Sequence, residues 1–123
     1  MLIQFLWLLA AHWVGDFVLQ THWQAQNKSK DIEALLRHVG TYTVLLAGVT
    51  PFIFVHQTQT TSILTGMLFV VTNGCLHFGT DYFTSPWTAR YFGKDWHKFF
   101  VVMGFDQLIH HITLGATVMV FFK

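Results

Sequence analysis

A single cysteine, two prolines and a charged fraction of only 11% set the first limits on this chain. Cys75 has no second cysteine to pair with, so no intrachain disulfide staples the fold. Charge is scarce and balanced: seven Lys and Arg against six Asp and Glu give a formal net charge of +1, with no long block of like charge. That excludes the electrostatic footprint of a nucleic-acid binder and the composition of a disordered chain. Signatures of soluble enzymes are missing too, since the chain holds no GxGxxG, no Walker loop, no GxSxG and no CxxC pair.

What is abundant is apolar. Of 123 residues, 53% are hydrophobic and 17% aromatic, and the mean hydropathy is +0.45. A bilayer core takes about 20 apolar residues per helix, so the length holds roughly four spans and about 40 connecting residues. Four apolar segments, at about 2–20, 39–56, 62–83 and 103–122, predict an all-α integral membrane protein, a four-transmembrane-helix bundle in one domain covering residues 1–123. The N-terminal run Leu2 to Ala11 lacks a basic leader and continues through His12 and Asp16, which fits a first span better than a cleaved signal. Thr21 to Arg37 and Thr84 to Met103 read as two interfacial segments, while the connection His56 to Thr60 is short and uncharged. Pro51, Gly104 and Gly115 mark expected bends or close helix contacts.

Lys28, Lys30, Arg37, Arg90, Lys94 and Lys98 lie in the two longer connections, and only Lys123 on the other side. The positive-inside rule therefore puts those connections in the cytoplasm and both termini outside. A weak repeat accompanies this: His12, Asp16, Trp23 and Lys28 recur roughly 65 positions later as His77, Asp81, Trp87 and Lys94. It suggests two repeated helical hairpins. The five tryptophans read as lipid-facing or interfacial anchors.

Three acids fall outside the connections: Asp16, Asp81 and Asp106. An ionised carboxylate in a span costs about 2.5–3.5 kcal/mol on insertion scales, so each needs a compensating partner. Each has a histidine four positions away, with His12 before Asp16, His77 before Asp81 and His110 after Asp106. That spacing puts both side chains on one helix face. Spans one and three run toward the expected cytoplasmic side and span four runs back, so the reversed order aligns the layers. At about 1.5 Å per residue the histidines lie about 6 Å deeper than the aspartates. His38 opens the second span from the same side, and all four helices thus deliver polar groups to one cavity facing the cytoplasm.

Three carboxylates and up to four imidazoles supply the N and O donors of a divalent transition metal, Zn²⁺ foremost, with Mn²⁺ or Fe²⁺ also suited. The expected ligands are His12, Asp16, His38, His77, Asp81, Asp106 and His110, enough for one or two ions. In a catalytic version Asp16, His38 and Asp106 are the candidates for acid–base work. Gln20, Lys28 and Gln107 are expected to support the ligands or the substrate, and Lys94 to line the mouth. His22, His56, His97 and His111 are left out of the site. Two competing readings use the same residues: local His–Asp hydrogen bonds that neutralise buried polarity, and a proton or ion relay.

The stretch AHWVGDFVLQ with Trp23 and Lys28 downstream, then His38, HFGTD at 77–81 and FDQLIHH at 105–111, resembles a bacterial and phage membrane family, domain of unknown function 3307. The resemblance covers nearly the whole chain and falls on His12, Asp16, Gln20, Lys28, His38, His77, Asp81, Asp106, Gln107 and His110. It implies a bacterial inner-membrane protein but no activity. A looser similarity to small membrane metal-dependent hydrolases is an analogy only. The expected function is a membrane-embedded metal-dependent hydrolase acting on a lipid-linked or phosphorylated substrate. The alternatives are an oligomeric transporter or ion relay and a phage-type effector binding a host protein.

Overall fold

The computed structural model describes residues 2–54 and 63–122, and among them every regular element is helical. α1 (Leu2–Trp13) runs directly into a π-helical turn (Val14–Val18), followed by the short α2 (His22–Asn27), α3 (Ile32–Phe54), α4 (Ile63–Tyr91) and α5 (Trp96–Phe121). α1 packs on α3, α3 on α4, α4 on α5, and α1 also meets α5, which closes a four-helix bundle with α2 laid against α3.

Local chemistry explains the boundaries. Thr21 and Gln24 form a reciprocal capping box at the start of α2, each side chain bonding the other's backbone N–H at 3.2 and 2.8 Å. Asp31 accepts from the Glu33 N–H at 2.9 Å where α3 begins, and Asp95 caps α5 through the Lys98 N–H at 3.0 Å. The turn between α4 and α5 requires Gly93, whose φ of 72° disfavours side chains.

α4 and α5 are long and apolar enough to cross a membrane. The apolar helix Leu2–Val18 is shorter, and α3 opens on the polar residues Glu33, Arg37 and His38. Large apolar side chains are exposed around the bundle, among them Val44, Phe52, Ile63, Leu64, Val101 and Met119, the surface expected where lipid replaces water.

The helices run beyond the spans read from the sequence, and the repeat is shorter than expected. Residues 84–103 are not a separate element between two helices: α4 continues to Tyr91 through Pro86, and a tight turn leads straight into α5. α3 begins at Ile32, ahead of the span expected at 39–56, and its first turns carry the Glu33–Arg37 pair. The repeat extends only to the His/Asp pairs, because Trp23 lies in α2 whereas Trp87 lies inside α4, and among the described residues the second half has no counterpart of α2. The connection His56 to Thr60 lies outside the described residues.

One half of the bundle is an apolar core of Leu8, Tyr42, Leu46, Phe54, Phe69, Val70, Leu114, Val118 and Phe122, with the Phe54 and Phe122 rings stacked 3.6 Å apart. The other half is polar.

Candidate functional site

The polar half gathers all seven expected ligands, each buried. The π-helical turn has a direct role: the Leu19 N–H reaches back to the Val14 carbonyl, 2.9 Å, one residue further than in an α-helix, and Asp16 lies buried within that wide turn. Such bulges recur at functional sites because they re-aim one side chain without ending the helix. Gly15 lets α3 approach: a Cβ there would stand 3.0 Å from Tyr42 Cδ2.

The i, i+4 pairs are the longer contacts. His12 Nε2 is 3.8 Å from Asp16 Oδ2, His77 Nε2 3.7 Å from Asp81 Oδ2, and His110 Nε2 3.5 Å from Asp106 Oδ1. Shorter contacts run between helices. His38 Nε2 lies 3.1 Å from both Asp16 Oδ1 and Asp81 Oδ2, His77 Nε2 3.0 Å from Asp16 Oδ1, and His110 Nε2 3.2 Å from Asp81 Oδ1. The aspartate and histidine layers therefore interlock rather than stack at separate depths. Local pairing alone is not what organises the cluster.

His38 Nε2 and His77 Nε2 also face one another at 3.2 Å. Asp16, His38, His77 and Asp81 thus offer four donors on three helical segments, all within 4.8 Å of one another. Five of the six separations run from 3.0 to 3.7 Å. A tetrahedral ion with bonds of about 2.0–2.1 Å has ligand-to-ligand edges of about 3.3–3.4 Å, so the set has the dimensions to hold one. Nδ1 of His38 and of His77 has no hydrogen-bond partner, which leaves Nε2, the nitrogen aimed into the cluster, as each ring's polar contact.

Charge points the same way. Asp16, Asp81 and Asp106 face one lysine: Lys28 Nζ is 3.0 Å from Asp81 Oδ2, and Ser85 bonds the Lys28 carbonyl at 3.4 Å. Burial opposes the Lys28 charge, but the carboxylates of Asp81 and Asp16 outweigh it and hold the ammonium above its ordinary 10.5. Two negative charges remain to be offset by a cation or by protonated imidazoles.

The site is least covered at Asp106 and Lys28, whose side chains are 11% and 16% exposed against 0–2% for the other ligands. Gln107 spans this rim, donating to Asp16 Oδ2 at 2.8 Å and to Asp106 Oδ2 at 3.0 Å, and the Thr84 hydroxyl donates to Asp106 Oδ1. Gln107 and Lys28 thus contact the ligands directly. Gln20 makes no hydrogen bond through its buried Oε1 and joins no contact with the cluster, and Lys94 lies in the α4–α5 turn.

Two contributors escape a reading of the sequence. The Tyr42 ring stacks on His77 at 4.1 Å and meets His12 edge-on at 5.4 Å; its place one turn after His38 was the available signal. The second is Thr84, a turn beyond Thr80 on α4, whose hydroxyl is not marked by any motif.

A family model described as "Protein of unknown function (DUF3307)" matches residues 4–123. Among curated proteins and among solved structures nothing matches the chain. With the match running over nearly its whole length, the chain belongs to the DUF3307 family.

Proposed function

We propose that this protein is a four-span enzyme of the bacterial inner membrane, with both termini outside, that binds a divalent transition metal and hydrolyses a lipid-linked or phosphorylated substrate from the cytoplasmic side. The observation that carries the reading is the four-donor set of Asp16, His38, His77 and Asp81, five of whose six edges are 3.0–3.7 Å. Two imidazoles and two carboxylates without a thiolate suit Zn²⁺, Mn²⁺ or Fe²⁺. When bound, the ion would supply Lewis acidity and lower the pKa of a coordinated water.

The chain's own residues would do the rest. Asp81 Oδ2 is shared between Lys28 and the donor set, so an ion on that oxygen would repel the ammonium and turn it toward the mouth. There it is placed to hold an anionic substrate group such as phosphate. Asp106, at the rim and supported by Thr84 and Gln107, is the carboxylate placed to take a proton.

An enzyme is favoured over a transport route by the other half of the bundle. Beyond Tyr42 the interior closes with Leu46, Phe54, Phe69, Leu114 and Phe122. The threonines there turn inward on their neighbours: Thr50 bonds the Leu46 carbonyl at 2.6 Å and Thr117 bonds Asn73 at 3.1 Å. No polar file crosses that core among the described residues.

The test is metal content. Protein purified in detergent without chelator should carry about one or more equivalents of a transition metal by elemental mass spectrometry, and the double variant His77→Ala, Asp81→Ala should lose it. The loaded protein should release phosphate or cleave lipid-linked esters in a metal-dependent way. Two folded, metal-free proteins would sink the reading.

A further inference from the structure

The donor set just described uses only one oxygen of each shared carboxylate. Asp16 presents Oδ1 to His38 and His77, and its Oδ2 faces the other way, toward His12 and Gln107. Asp81 is divided likewise, with Oδ2 toward His38 and Lys28 and Oδ1 toward His110 at 3.2 Å. Both carboxylates therefore straddle two neighbouring positions.

The second position adds His12, Asp106 and His110 to residues shared with the first. Asp16, Asp106 and His110 offer atoms within 4.8 Å of one another, as do His12, His77 and His110. His12 is the telling member. It is 1% exposed, and neither ring nitrogen has a hydrogen-bond partner. Its ring is surrounded by His110 at 5.0 Å, His77 at 5.5 Å, His111 at 5.4 Å and Tyr42 at 5.4 Å, and its Nε2 lies 3.8 Å from Asp16 Oδ2. An imidazole buried this deeply ordinarily finds a partner, and here the partner position lies on the cluster side.

Resting on the reading of the first site, we infer that the centre is dinuclear: a second divalent cation sits between His12, His110, Asp106 and Asp16 Oδ2, with Asp16 and Asp81 as bridging carboxylates. Sites of this kind hold their ions about 3.5–4 Å apart. Gln107 occupies the gap between Asp16 and Asp106 with its amide nitrogen, and a half-turn of the amide presents Oε1 to a cation instead. Asp106 has two oxygens with different partners, so one can ligate while the other keeps the proton-accepting role.

The second position is also the one nearer the outside, because Asp106 lies at the rim with its side chain 11% exposed. With Lys28 displaced, three carboxylates against two divalent ions leave one positive charge, which matches an anionic substrate group.

The experiment uses full-length protein in detergent, stripped and reloaded with Mn²⁺. Elemental analysis should find two equivalents per chain, and electron paramagnetic resonance should show an exchange-coupled pair. His12→Ala should bind half as much and give the six-line spectrum of an isolated ion. His12→Gln and the rim variant Asp106→Asn, each checked for helicity and monodispersity, should do the same, which guards against one variant failing to fold. A single uncoupled equivalent in the unaltered protein would overturn the dinuclear centre and leave the first site standing. No bound Mn²⁺ at all would overturn both.

Discussion

Asp81 is the hub of the cluster, touching Lys28 at 3.0 Å, His38 at 3.1 Å and His110 at 3.2 Å. The ion pair with Lys28 should be among the strongest in the molecule. At 3.0 Å two unit charges attract by about 5–6 kcal/mol for an effective dielectric near 20. Desolvation takes back part of that, and removing either partner alone leaves a buried charge, at a cost of about 3–5 kcal/mol. The quantity to measure is the coupling between Asp81→Asn and Lys28→Met, which preserve shape and strip charge. For side chains 1% and 16% exposed a coupling of about 1–3 kcal/mol is expected. Glu33–Arg37 serves as the control, since its contact is shorter, 2.6 Å, but its side chains are 62% and 65% exposed. There the coupling should be about 0.3–0.5 kcal/mol. Both cycles can be read by reversible unfolding in mixed micelles with chelator present. If the buried coupling does not exceed the exposed one, burial is not what makes this network strong, and the reasoning fails.

Other consequences follow from single contacts. Gly15→Ala puts a Cβ 3.0 Å from Tyr42 Cδ2, and that ring is pinned on His77 at 4.1 Å; destabilisation by about 1–3 kcal/mol, with weaker metal binding at the adjacent Asp16, should appear in thermal unfolding and metal titration. Thr117→Val removes the 3.1 Å bond to Asn73 between α5 and α4 and should cost about 0.6–2 kcal/mol without changing metal content, which separates packing from ligation. Asp95 is held below its ordinary 3.8 by the Lys98 N–H first and the Lys98 ammonium second. A depressed carboxyl stabilises above its unfolded value and loses that contribution as pH falls through the folded one. Protection factors of the amides in the first turn of α5 should therefore fall as pH drops below 3.8, and Asp95→Asn should abolish that dependence.

The helical class and the convergence of the histidines and aspartates could be read from spacing, because four-residue intervals fix a helix face whatever the neighbours do. The partners could not. His12 and Asp16 share a face, yet the π turn re-aims Asp16 toward His38 and His77, and no residue type in the sequence marks that turn. Trp87, Arg90 and Trp96 read as interfacial, but a helix that emerges from the bilayer carries the same residues, so α4 and α5 extend through a stretch that composition assigns to a surface segment. Glu33 and Arg37 likewise masked the first turn of α3 by pairing with each other. Lys28 shows the limit most clearly: its place in a basic connection suggests topology, whereas its burial against Asp81 depends on α2 folding back onto α3.

The central claim is that Asp16, His38, His77 and Asp81 ligate a metal ion. X-ray absorption at the edge of the metal that copurifies tests it most directly. The account predicts a first shell of nitrogen and oxygen only, at about 2.0–2.1 Å for zinc, with the outer-shell scattering of imidazole rings, which weakens in His38→Ala. A shell containing sulfur, from Cys75 or a methionine, or one unchanged in His38→Ala, would contradict it.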